Sequence, residues 1–215
     1  MKIGKLTVLI LTLLSTIGVN AQDFAFGLVA GFDVANTRIS NMPDPYDGNK
    51  PYYPLIAFNV NAHISFKSKS FWAVSIEPGF IQKGEHYRYD DKNKNIKFIY
   101  NYFQIPIFVD FFPTKKLSFS IGPEFAFLVN AKAKSKDDSN DVTDIYHEKF
   151  EISALVGVNY NVFKYIDIGL RYSRGLTHIL AFTFTDETGT TIGEGKLYNQ
   201  YFQFFVRFKI RTGGN

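Results

Sequence analysis

The chain has 215 residues, no cysteine and a formal charge of +4, so it has the length of one domain but neither a disulfide framework nor a Cys-ligated metal site. Aromatic residues make up 17% of it, yet its mean hydropathy is only −0.08, the balance expected where apolar and polar side chains alternate. The charges are mixed in sign and scattered, which leaves no basic patch for nucleic acid.

Lys2 and Lys5 precede an apolar run from Leu6 to Val19, and Val19-Asn20-Ala21 ends in small residues. This is the layout of a secretory signal peptide, residues 1–21, cut after Ala21 to leave one domain over residues 22–215. The run is short of the ~20 residues that a spanning helix needs. Cleavage removes two lysines and halves the formal charge of +4. Without cysteine there is no lipobox, so no N-terminal lipid is expected.

Period-2 alternation follows, because successive side chains of a strand point to opposite faces. In Phe24–Val34, Phe24, Phe26, Leu28, Ala30 and Phe32 oppose Ala25, Gly27, Val29, Gly31 and Asp33. Ile56–Phe66 sets Ile, Phe and Val against Asn59, Asn61, His63 and Ser65, and Trp72–Phe80 sets Trp72, Val74 and Ile76 against Ser75 and Glu77. Phe103–Phe111, Leu117–Asn130 and Ile152–Val162 repeat the pattern, with Gln104, Asp110, Ser120, Glu124, Glu151 and Asn159 on the polar side. Ile166–Ser173 and Phe202–Ile210 complete it, their polar sides carrying Asp167, Arg171, Gln203, Arg207 and Lys209. The spacing predicts eight strands, each near the roughly 9–11 residues of a tilted membrane-crossing strand.

The connections alternate in length. Lys67–Ser70, Pro113–Lys116 and Phe163–Tyr165 are tight turns, whereas Asn36–Pro54, Arg88–Lys97, Ala133–Lys149 and Leu176–Lys196 are long and polar. Such sorting predicts an all-β fold: an eight-stranded antiparallel up-and-down transmembrane β-barrel with short periplasmic turns and four longer extracellular loops. A soluble barrel or sandwich also alternates. Two features favour the membrane: one face is continuous Phe, Ile, Val, Leu and Tyr, and the other suits a narrow polar lumen.

Tyr100, Tyr102, Tyr160 and Tyr172, with Trp72, Phe111 and Phe112, fall near strand ends and are expected as interfacial girdles. Pro78, Pro106 and Pro123 lie inside strands, where each requires a bulge or a break.

Several stretches carry a family likeness: Gly27-Leu28-Val29-Ala30-Gly31-Phe32, Glu77-Pro78-Gly79-Phe80-Ile81-Gln82-Lys83-Gly84, Tyr102-Phe103-Gln104-Ile105-Pro106, Ser120-Ile121-Gly122-Pro123-Glu124, and Gly169-Leu170-Arg171-Tyr172 with Gly175-Leu176. Together they resemble the outer-membrane β-barrel family related to PorT, found in Bacteroidota. The resemblance implies an eight-stranded barrel with prolines as a habit of its strands. The family's namesake is linked to a protein-secretion pathway, a role the resemblance does not carry over to this chain.

The candidate site is the set of charges facing the lumen. Glu77, Glu124 and Arg171 fall at middle heights, Asp110, Arg207 and Lys209 nearer the periplasm, and Asp33, Lys83 and Glu151 nearer the outside. Buried charges need partners, so Arg171 is expected to bridge Glu77 and Glu124 and plug the lumen; simple hydration of the same groups is the alternative.

Rim catalysis needs a histidine with a nucleophile or carboxylate. His147 with Asp144 and Glu148, or His86 with Glu85, makes half of such a site, but no serine stands at a fitting spacing. The run Lys136-Asp137-Asp138-Ser139-Asn140-Asp141 with Asp144 is calcium-like in composition but lacks the EF-hand order. The expectation is therefore a non-enzymatic outer-membrane protein without cofactor or metal. Its partners are outer-membrane lipid and, through Asn36–Pro54, Ala133–Lys149 and Leu176–Lys196, another outer-membrane protein; a small-solute channel and a rim-sited hydrolase or acyltransferase are the alternatives.

Overall fold

The computed structural model describes residues 21–41, 52–68, 71–88, 95–186 and 188–212. The signal segment therefore lies outside the described residues, apart from Ala21. Eleven strands follow: β1 (Ala21–Ser40), β2 (Tyr52–Ser68), β3 (Trp72–Ile76), β4 (Gly79–Arg88), β5 (Asn95–Phe111), β6 (Leu117–Lys134), β7 (Ser139–Asp141), β8 (Phe150–Phe163), β9 (Ile166–Gly175), β10 (Leu180–Thr185) and β11 (Thr191–Thr212). All pairings are antiparallel, and β1 closes the ring by pairing β2 on one side and β11 on the other, from Phe24↔Thr212 to Ser40↔Lys196. Closure leaves the ring itself without a free edge, while the short β7 and β10 each pair on one side only.

The ring has eight staves, because β3 and β4 are one stave interrupted at Glu77-Pro78. Pro78 has no N–H to donate, so the ladder lapses there. Register is nonetheless kept across the gap, with Ile64↔Ile76 and Asn61↔Gly79 on one side and Ile76↔Ile107 and Gly79↔Gln104 on the other. The other two strand prolines cause no such break. Pro106 pairs with Glu124 inside continuous strands, and only the two positions before Val109↔Ile121 drop out of the ladder. Here the backbones close in: a Cβ on Gly122 would stand 2.1 Å from the Ile107 carbonyl oxygen. Glycine is required at that point.

Alternation sorts the faces as the residue pattern predicts. Asp33, Asn59, Ser75, Glu77, Gln104, Glu124, Arg171 and Gln203 are buried inside, while Leu28, Ile56, Phe103, Ile121, Val156 and Val206 stand outside. One shift departs from the pattern. Asn101 pairs with Asn130 but the next residue, Tyr102, pairs with Leu128, so β6 carries a bulge at Val129. Before it Leu128 is buried with the other even positions; beyond it the faces exchange, so that Ala131 is buried and Asn130 turns outward.

Two of the long connections are shorter than expected. β1 runs to Ser40 and β2 starts at Tyr52, so both ends of Asn36–Pro54 belong to the wall. Leu176–Lys196 is mostly a hairpin, in which β10 pairs with the start of β11 from Leu180↔Leu197 to Thr185↔Thr191. The alternating Leu-Ala-Phe-Thr-Phe-Thr of β10 supports extended pairing as well as a barrel strand would. Ala133–Lys149 likewise contains β7 and one turn of 3-10 helix at Thr143–Ile145. Among the described residues no helix is long and apolar enough to cross a membrane.

Candidate functional site: the charged lumen

The lumen is narrow enough for side chains to meet from opposite staves. In its lower half Glu77 is the centre. It accepts hydrogen bonds from Arg207 Nε at 3.1 Å and Nη2 at 2.8 Å, from Arg171 Nη1, and lies 2.8 Å from His63 Nδ1. Arg207 also reaches Asp167 at 3.4 Å, and Lys209 donates to the same carboxylate. The Arg171 guanidinium lies over the rings of Phe108 and Phe205, 4.7 and 4.2 Å from their centroids. These faces offset the loss of water around its Nε and Nη2, which find no hydrogen-bond acceptor among the described residues.

A second cluster fills the upper half. Lys83 Nζ sits 2.9 Å from both Glu124 Oε1 and Glu151 Oε1, with the rings of Tyr102 and Tyr201 about it at 5.0 and 5.2 Å. Tyr201 donates its hydroxyl to Glu124, while Asn199 donates to Glu151 at 2.6 Å and to Tyr102 at 3.2 Å. Asp33 receives two bonds from Asn59, at 3.1 and 3.0 Å. Asp110 is held without a cation, by Ser75 at 2.7 Å, Ser120, and Asn159 at 3.4 Å.

The expected bridge from Arg171 to both Glu77 and Glu124 is thus not the arrangement found. Arg171 bonds Glu77, and Glu124 is taken by Lys83 and Tyr201. Strand tilt displaces positions equal in count from the strand ends, so the middle carboxylates fall into two layers. Asp167 completes the lower layer; its place on the polar face of β9 was the signal for it. Glu85 was outside the expected set as well, and it accepts bonds from Thr37 and, at 3.5 Å, from Tyr100.

Tyr100 and Tyr102 are not girdle residues. Both are buried in the lumen, at 0% and 1% exposure. They share parity with Gln104 and Asp110, and that parity decides their face. Tyr160 and Phe111 do stand on the outer wall. Over the two lumen tyrosines folds the connection between β6 and β8: Tyr146 donates to Tyr100 at 2.9 Å, with the rings edge to face at 5.0 Å. Tyr146, Ile179 and Leu197 join Tyr100, Tyr102, Leu128 and Tyr201 in a buried apolar cluster that caps the charged layers.

Below Glu77 the lumen opens to a cavity of about 300 Å³ at the end with the short turns, lined by Lys67, Lys115, Lys116, Asp110 and Asp167 among others. His63 is committed to Glu77, while His147, Asp144 and Glu148 are exposed on their loop. Among the described residues no three His, Asp or Glu side chains are grouped to hold a metal.

The sequence profile of the outer membrane protein beta-barrel domain family matches residues 20–181. No curated protein matches the chain. Among solved structures, Ail, the attachment invasion locus protein of Yersinia pestis, is 10% identical with a TM-score of 0.47, covering 86% of this chain and 98% of its own. Neisserial surface protein A is 14% identical with a TM-score of 0.48, covering 86% and 99%. OprG from Pseudomonas aeruginosa is 10% identical with a TM-score of 0.42, covering 89% and 97%.

Proposed function

The chain belongs to the outer membrane protein beta-barrel domain family and resides in the bacterial outer membrane, and from that premise we propose that it is a non-enzymatic barrel with a shut lumen. It works through its extracellular connections or a membrane partner, in a structural, adhesive or secretion and transport accessory role. One observation carries this reading: Glu77 and Arg171 meet across the lumen from opposite staves, under a second ionic layer and a tyrosine cap. A lumen filled in this way leaves the loops and the outer wall as the working surfaces. Residues 1–21 act as the signal peptide, and the glycine- and proline-bearing strand motifs group the chain with PorT-related barrels of Bacteroidota.

Purified protein in planar lipid bilayers tests the reading. The expected trace has no steady open level. A steady conductance that changes on substituting Arg171 or Glu77 would make the protein a small-solute channel instead. An activity lost on changing one histidine, with the barrel still folded, would make it a rim enzyme. Gentle detergent capture from native outer membranes should then recover a partner whose binding depends on Asn36–Pro54, Ala133–Lys149 or Leu176–Lys196.

A further inference from the structure

Toward the end with the long connections, the outer wall of β4, β5 and β6 changes character in successive rows. Phe80, Phe103 and Phe127 are in register across the three strands, and Phe150 of β8 extends their row. The next outward row is Gln82, Asn101 and Asn130, where Gln82 donates to Asn101 at 3.0 Å and Asn101 donates to Asn130. Such a ladder pairs side-chain amides along one row and marks where the hydrocarbon-facing wall ends. Beyond it Lys97 stands directly opposite Lys134, and Lys136 follows.

Like charges placed opposite one another oppose pairing. None of Lys97, Lys134 and Lys136 forms an ion pair among the described residues. The three lysines line one groove, of about 490 Å³, whose lining contains no carboxylate. Its other end is apolar, formed by Leu55, Ile56 and Ile99. There β2 and β4 part, their ladder lapsing between Pro54↔Glu85 and Asn59↔Ile81. Ile56, Phe58 and Val60 continue down the wall as an exposed apolar strip, Ile56 at 76%. Three cations with no ion-pair partner among the described residues, above an apolar slot at the edge of the hydrocarbon, complement an amphiphile with an anionic head.

We propose that this groove seats a phosphorylated glycolipid of the outer leaflet, its phosphate on Lys97, Lys134 and Lys136 and one acyl chain along Ile56, Phe58 and Val60. The inference rests on the reading that the long connections face outward. A bound phosphate would supply the negative charge that the Lys97–Lys134 pair lacks among the described residues.

Native mass spectrometry of the full chain, released in mild detergent, tests the proposal with bisphosphorylated lipid A, its dephosphorylated form and inorganic phosphate as separate probes. Bisphosphorylated lipid A should remain bound and the other two should not. K97Q/K134Q/K136Q should weaken retention by about tenfold or more, whereas Lys164→Gln, on a short turn, should leave it unchanged. A heat-dependent gel shift confirms that the variants are folded. Equal retention of the dephosphorylated lipid, retention of phosphate alone, or unchanged binding by the triple variant would each overturn the site. Orientation is read separately: the chain has no cysteine, so Thr188→Cys should take up a membrane-impermeant maleimide on intact cells. Absence of that label would fail the orientation, and the proposal with it.

Discussion

Glu77 and Arg171 stand on staves half a turn apart in the ring, and their side chains are hydrogen-bonded across the lumen. Arg207 and His63 converge on the same carboxylate from two further staves. A buried carboxylate with this many donors is neutralised in place, but each donor is in turn left costly without it.

Glu77→Gln should therefore destabilise the barrel by about 3–5 kcal/mol, since it removes the one carboxylate that Arg171 pairs with among the described residues and leaves Arg207 only Asp167, which Lys209 also takes. The unfolding midpoint in urea, with the protein in lipid vesicles, measures this. Glu77→Gln combined with Arg171→Met should recover part of the loss, because the second change removes one uncompensated cation. An unchanged midpoint for the single variant would show that the layer is hydrated rather than sealed.

Tyr146 should hold the extracellular cap in place. Tyr146→Phe removes one hydrogen bond to Tyr100, worth about 1 kcal/mol. Tyr146→Ala also removes the ring that packs against Tyr100, so the Ala133–Lys149 connection should become cleavable by protease added to folded protein. Equal resistance of the alanine variant and the parent would show that other contacts pin this loop.

Much of the wall was legible in the residues, because period 2 has one consequence: parity assigns a face. Asp33, Glu77, Arg171 and Gln203 point inward as their parity requires. Parity also fixes Tyr102 as a lumen residue, a stronger guide than its place near a strand end. What parity could not supply was the exchange of faces at Val129, since a bulge depends on how two strands curve against each other. Nor could it supply the partners within the lumen. Those depend on tilt and stagger around the ring, which placed Lys83, and not Arg171, beside Glu124. The β10–β11 hairpin was hidden because its Thr- and Gly-rich composition reads as loop while its alternation supports a strand.

Two glycines should respond differently to alanine. At Gly122 the added methyl meets backbone, 2.1 Å from the Ile107 oxygen and 2.6 Å from the Phe108 Cα, so β5 and β6 must separate. Gly122→Ala should sharply reduce the fraction that migrates as folded barrel in unheated gels. Gly189 has a φ of +83° with nothing within 4 Å, so alanine there meets only the strain of that backbone, about 1 kcal/mol. Gly189→Ala should leave the folded fraction near that of the parent. Similar losses at both positions would contradict the close approach at Gly122.

Asp186 ties the tip of the β10–β11 hairpin. Its carboxylate accepts from the Thr188 hydroxyl at 2.6 Å, the Thr188 amide at 2.9 Å and the Thr190 amide at 2.8 Å. The Thr188 hydroxyl first, and the backbone amides with it, hold its pKa below the ordinary value of 3.8. A depressed carboxyl pKa contributes order that is present above the ordinary value and lost as pH falls through the depressed one. In micelle NMR the amide shifts of Thr188 and Thr190 should accordingly stay constant down to the ordinary aspartate range and titrate only below it. Asp186→Asn should abolish that titration while keeping the hairpin pairing from Leu180↔Leu197. A midpoint at or above 3.8 would show that the turn does not bind the ionised carboxylate in preference to the neutral acid.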